Sequence, residues 1–113
     1  MTFLCLAFGD EAGWQSLSNR EQVRFLTQDT IIRGQGATVS AVDSEMISVR
    51  NWSGELEVNT EPHHQGLPLA GFYLLEARDM EEVIELVANT PCARARGVID
   101  IYCVLSQNKG DAG

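Results

Sequence analysis

The apolar positions of this chain fall into blocks whose spacing changes along the sequence, and the spacing assigns the elements. The clearest change lies between Ala70 and Asn89. Gly71 to Ala77 is an apolar and aromatic run of strand length. Asp79 then offers an N-cap, and Glu82 three residues later completes a capping box. Met80, Val83, Ile84 and Val87 recur at i, i+3, i+4 and i+7, so they share one helix face. Pro91 stops that helix soon after Asn89.

The same reading works from the start of the chain. Thr2 to Phe8 is an unbroken apolar run, which predicts a strand buried on both faces. Gly9 to Gly13 is a polar turn, and Trp14 follows it. Ser18-Asn19-Arg20-Glu21 forms another capping box, opening a helix from Asn19 to Arg33. Val23, Leu26 and Thr30 fall on one side of it, with Phe25 and Ile32 alongside. Gly34 and Gly36 supply its C-cap. Ala37 to Val42, Glu45 to Arg50 and Glu55 to Val58 read as a meander of short strands. Its turns are Asp43-Ser44 and Asn51-Trp52-Ser53-Gly54. Pro62, Gly66 and Pro68 exclude regular structure between Asn59 and Leu69, a loop long for a compact domain. Thr90 to Gly97 is a connection, Val98 to Leu105 is the last strand, and a polar tail follows.

Apart from one extra hairpin, this order is the split βαβ pattern of ferredoxin-like α+β domains. Two helices then cover one face of an antiparallel sheet, in a single domain over residues 1–106 with a flexible tail over 107–113. No helix remains for the other face. A second copy of the chain is the expected cover, which predicts a homodimer with sheets facing each other.

Composition narrows the partners. With 113 residues, 44% of them apolar, the chain is long enough for one real core. No apolar run reaches the roughly 18 residues of a membrane-spanning helix. Met1 to Phe8 lacks the basic start and cleavage pattern of a signal peptide, so the expected location is the cytoplasm. A formal charge of −8 repels phosphate, which argues against nucleic acid and anionic membrane as partners. Cys5, Cys92 and Cys103 show no CxxC spacing, and no disulfide framework is expected.

Several stretches resemble one family. Phe3-Leu-Cys-Leu-Ala-Phe-Gly-Asp-Glu-Ala-Gly-Trp14 is similar to the opening of YCII-related, or DGPF-domain, proteins. Leu69 to Val83 resembles their Gly-Gly-Phe strand and the helix start after it. Pro91, Ala93 and Gly97-Val98-Ile99-Asp100-Ile101 resemble their closing strand. The resemblance covers nearly the whole chain and implies a dimeric ferredoxin-like α+β barrel. Two features depart from it. Asn59-Thr60-Glu61-Pro62 stands where the Asp-Gly-Pro-Phe element belongs. Some relatives pair a His on the first helix with an Asp near the last connection. Here that helix has no histidine and the connection reads Asn89-Thr90-Pro91-Cys92, so the pair is not carried over. A few members of the family resemble small-molecule lyases, and others accompany regulatory proteins.

The candidate chemistry is scattered. His63 and His64 are the only histidines, and imidazole titrates near neutral pH. The alternative is an exposed polar pair on a loop. A zinc site needs three or four ligands, and adjacent histidines on extended chain point apart, so no metal is expected. Asp10 and Glu11 end the first strand, either as acid–base groups at a cleft or as a solvated turn. In the last strand, Ile99, Ile101, Cys103 and Leu105 suit the helix-covered side, which turns Asp100 and Tyr102 to the other face. There Asp100 is either a desolvated proton carrier or a partly wet carboxylate paired with arginine. Arg50, Trp52 and Tyr73 are candidates for an anion clamp and aromatic walls, with a turn-tip or interface role as the alternative for Trp52.

The expected function is a cofactor-independent enzyme in a cavity at the dimer interface. It would isomerise, cyclise or eliminate on an aromatic or polyketide-like metabolite by proton transfer. His63 or His64 would move the proton, Asp100 or Asp10 would assist, and Tyr102 or Tyr73 would bind the developing oxyanion. The alternative is a non-catalytic small-molecule-binding or regulatory module. An oxygenase on the same barrel shape rests on fold analogy alone.

Overall fold

A computed structural model describes residues 1–43, 45–60 and 66–105. Strand β1 (Thr2–Phe8) leads through a short helix α1 (Glu11–Gln15) into the long helix α2 (Asn19–Gly34). Strand β2 (Thr38–Ala41) follows, then a hairpin of β3 (Ser48–Arg50) and β4 (Glu57–Asn59). Strand β5 (Leu69–Glu76), helix α3 (Met80–Val87), short helix α4 (Pro91–Arg94) and strand β6 (Val98–Cys103) complete the chain. The main sheet is antiparallel with strand order β2-β5-β1-β6, the ferredoxin-like α+β arrangement expected from the element order.

Local chemistry explains the helix boundaries. Ser18 accepts from Glu21 N–H, and Glu21 Oε1 accepts from Ser18 N–H at 3.0 Å, a complete capping box worth about 1 kcal/mol. Asp79 Oδ1 accepts from Glu82 N–H at 2.9 Å. The returning bond differs from the expected box, because Glu82 Oε1 accepts from Arg78 N–H instead, at 2.8 Å. Helix α2 ends where Gly36 takes φ +95°, a left-handed conformation that glycine adopts without a Cβ clash.

One side of the sheet carries the core. Phe3, Cys5 and Ala7 of β1 alternate with outward residues, and their partners across the ladder are Leu75, Tyr73 and Gly71. Ile32 of α2 and Val83 and Val87 of α3 pack onto this side. Fully burying one such aliphatic or aromatic side chain contributes roughly 1.5–3 kcal/mol. The register places Leu4, Leu6, Phe72, Leu74, Asp100 and Tyr102 on the opposite side. Leu74 is 40% exposed and Tyr102 55% exposed.

Three expectations need correction. The meander is not formed: β2 pairs with β5 at the sheet edge, and only β3 and β4 pair with each other. The side of α2 that carries Val23 and Leu26 is exposed, and Phe25 and Ile32 are the residues it buries. Likewise α3 buries Val83 and Val87 but leaves Met80 and Ile84 out. Finally, the turn before Trp14 and the connection after Thr90 each contain a short helix. These two helices meet closely. A Cβ on Gly13 would lie 2.2 Å from the Ala95 carbonyl oxygen, so only glycine permits the contact.

The residues 107–113 expected as a tail lie outside the described residues. Among the described residues, no helix is long and apolar enough to cross a membrane.

Candidate active site

Helical periodicity sets the first group. Phe25 and Ile32 anchor α2 to the sheet, and Asp29 falls between them, four residues after one and three before the other. The same turn therefore half-buries Asp29. On β5, strand alternation points Tyr73 to the helix side, opposite Cys5. The phenol is long enough to cross the core edge, and its hydroxyl donates to Asp29 Oδ1 at 2.6 Å. Thr90 precedes α4 and is fully buried; its hydroxyl donates to the Val87 carbonyl at 2.6 Å. Pro91 occupies the first turn of α4, where its missing N–H costs nothing, and Cys92 follows it.

The electrostatics follow from burial. Desolvation raises the Asp29 pKa above the ordinary carboxylate value, against the opposing pull of the Tyr73 hydrogen bond and the Arg33 charge. Desolvation also raises Tyr73, reinforced by Asp29, so the phenol stays protonated. The Cys92 thiol is pushed up to about 11 by burial and by the Asp29 charge. At neutral pH the site thus holds a hydrogen-bonded carboxyl group beside a protonated phenol and a protonated thiol.

These groups open onto a cleft between the helices and one end of the sheet. A hollow of about 540 Å³ is bordered by Asp10, Trp14, Leu67, Leu69, Pro91 and Cys92. A second, of about 430 Å³, is bordered by Leu26, Asp29, Arg33, Tyr73, Pro91 and Cys92. Trp14, Ala70, Pro91 and Cys92 border both, so the hollows adjoin along that wall. Each volume suits a small organic molecule. Trp14 supplies an aromatic wall, and Asp29 and Arg33 supply opposite charges. Among the described residues, no three His, Cys, Asp or Glu side chains gather to hold a metal ion.

The residues singled out from the sequence divide among several places. Asp10 borders the larger hollow and Tyr73 the smaller. Asp100 and Tyr102 stand on the opposite face of the sheet, paired across the ladder with Leu6 and Leu4. Arg50 and Trp52 belong to the β3–β4 hairpin, where the guanidinium carbon lies 5.1 Å from the indole centroid. Trp52 is 84% exposed at the hairpin tip. His63 and His64 lie outside the described residues; the described chain resumes at Gly66, on the rim of the larger hollow.

Sequence reasoning missed Asp29, Thr90 and Cys92. A signal for Asp29 was present: an acidic residue sits in mid-helix on the face defined by Phe25 and Ile32. Helix α2 and the short helix α4 of the last connection contribute an aspartate and a cysteine to this cleft.

The sequence matches the YCII-related domain family over residues 1–108. No curated protein sequence matches the chain. Among solved structures, the fold is similar to 5-chloro-2-hydroxyhydroquinone dehydrochlorinase (TftG) from Burkholderia phenoliruptrix AC1100 in complex with 2,5-dihydroxybenzoquinone, with TM-score 0.50 and 14% identity over 92% of this chain and 93% of that one. With the family match spanning nearly its whole length, and with the β2-β5-β1-β6 sheet backed by helices, this chain belongs to the YCII-related domain family.

Proposed function

We propose that this protein is a cofactor-independent enzyme that transfers protons on a small aromatic molecule, in a lyase- or isomerase-type reaction. The observation that carries the reading is the Tyr73–Asp29 hydrogen bond of 2.6 Å at the wall of a cleft that also contains Trp14. A half-buried carboxylate is a stronger base than one in water, because desolvation disfavours its charge. Tyr73 orients that carboxylate and leaves its second oxygen for the substrate. The Trp14 indole offers a flat apolar surface for a ring. Arg33 favours an anion forming on the ring oxygens. Proton transfer of this kind draws on side chains alone. The activity in the name of the structural neighbour, a dehydrochlorinase of a chlorinated hydroquinone, supports the same reaction class.

This reading moves the chemistry to the helix side of the sheet. Asp10 remains at the mouth of the cleft. Asp100 and Tyr102 fall instead on the open sheet face, where a homodimer would form. The dimer is itself part of the proposal, supported by the partly exposed Leu74 and Tyr102 on a face that, among the described residues, no helix covers.

The test is chloride release from a chlorinated hydroxyhydroquinone. Asp29→Asn should slow it by about a hundredfold or more, the usual contribution of a general base. A His63→Ala/His64→Ala double variant should keep the wild-type rate. Equal rates for wild type and Asp29→Asn would sink the assignment, and loss only in the histidine variant would return the proton to His63 or His64.

A further inference from the structure

Of the three cysteines, Cys5 is buried in the core and Cys103 is exposed at the end of β6. Cys92 alone borders the cleft, and it borders both hollows. Its position is rigidly set. Pro91 precedes it in α4, and its carbonyl accepts from the Gly97 N–H at 2.9 Å. Gly9 flanks the sulfur: a Cβ there would stand 3.5 Å from Cys92 Sγ, and its absence widens the space beside the thiol.

We infer that Cys92 is the proton donor that complements Asp29, so that one bound ring meets a base and an acid from two different elements. This rests on the proton-transfer reading above. In an elimination, Asp29 takes the proton of one ring hydroxyl, and that O–H pair becomes a C=O bond. The displaced ring pair takes the Cys92 thiol proton at the carbon that carries the leaving group. The thiolate then takes the proton of a second ring hydroxyl, that O–H pair becomes a second C=O, and the leaving group departs as an anion with its bonding pair. Asp29 gives its proton to solvent, and the net products are a quinone and the acid of the leaving group.

Burial raises both groups, and a thiol's ordinary pKa lies well above a carboxyl's, so the proton of the pair rests on sulfur and the carboxylate is free to accept one. Burial and the Asp29 charge hold the thiol in its protonated form. When Asp29 takes a proton, its charge disappears and the thiol releases its own proton more readily. The other ionisable groups bordering the cleft are Arg33 from α2, Tyr73 from β5, Asp10 just before α1 and Glu11 at its start.

The coupling is measurable without a turnover substrate. In a Cys103→Ala background, Cys92 is the accessible thiol, and its modification by dithiodipyridine reports its thiolate fraction. At mildly alkaline pH, adding Asp29→Asn should speed the reaction several-fold, since each unit of lowered pKa gives about ten times more thiolate. Chlorohydroquinone, added without oxygen, should protect Cys92 in both proteins. An unchanged rate in Asp29→Asn, with protection intact, overturns the pairing and leaves the proton-transfer reading standing. A faster rate with no protection by the ring overturns the ring-binding reading, and this inference with it.

Discussion

The Tyr73 hydroxyl and Asp29 Oδ1 are 2.6 Å apart, although the two residues are separated by 44 positions in the chain. The bond joins the central part of β5 to the middle of α2 at the edge of the core. It holds a carboxyl group in place where an apolar residue would pack without penalty. Burial of that kind is a local cost to the fold, offset by packing on either side.

Tyr73→Phe tests the cost directly. The variant keeps the ring and removes the donor, leaving Asp29 partly desolvated with one fewer hydrogen bond. The expected loss of stability is about 1–3 kcal/mol in urea unfolding. The acid limb of activity should also move to higher pH, because the Tyr73 bond lowers the Asp29 pKa. Wild-type stability together with an unmoved limb would contradict the role given to this hydroxyl.

Asp29→Asn should change the pH dependence of stability. The folded-state pKa of Asp29 is raised, so protonation favours the folded form. Its contribution is full below the unfolded carboxylate pKa and is lost as pH rises through the folded one. The variant should therefore be more stable than wild type at neutral pH, and the gap should close on acidification. Thermal melts across the acid range would reveal it; a gap that widens toward low pH would reverse the sign.

Gly97→Ala should disturb the fold beside Cys92. A Cβ at Gly97 would lie 2.2 Å from the Phe8 carbonyl oxygen and 2.7 Å from that of Cys92, both backbone atoms that cannot swing aside. Overpacking of this sort costs about 1–3 kcal/mol. Denaturant midpoints would measure it, and an unaffected midpoint would mean that this backbone relaxes freely.

Leu74→Glu addresses the open face. Leu74 of β5 pairs with Leu4 of β1 and is 40% exposed. A charge there would be desolvated between two facing sheets, so the variant should sediment as one chain at micromolar concentration while wild type sediments as two. A wild-type mass equal to one chain would remove the homodimer from the proposal.

The parts of the fold that were legible in the sequence are those with strong local signals. The Ser18–Glu21 box, the Asp79 cap and the Ile99/Ile101 and Asp100/Tyr102 sides of β6 emerged as read, but the strand stops at Cys103, and Cys103 and Leu105, expected on the helix-covered side, are exposed. The meander did not, because β2 finds its partner in β5, some thirty residues on. Strand pairing is a choice among distant edges, and local pattern does not rank them. Helix α2 has apolar residues on several sides, including Val23, Phe25, Leu26, Ile31 and Ile32. Its amphipathic pattern could not say which side would dock. The cleft remained hidden for the same reason: Asp29 joins Tyr73 only when the Phe25 side of α2 faces the sheet.

The sequence by itself determined the strands of the main sheet and the two longer helices, the α+β order and the family. Capping, glycine conformation and alternation act within a few residues, so the chain states them locally. Only the tertiary structure decided which side of α2 is buried, and that β2 rather than β3 edges the sheet. It alone brought Asp29, Tyr73 and Cys92 to one cleft while placing Asp100 and Tyr102 on the other face. Those outcomes depend on how whole surfaces pack against each other. Packing energy is summed over many distant contacts and is written at no single position of the chain.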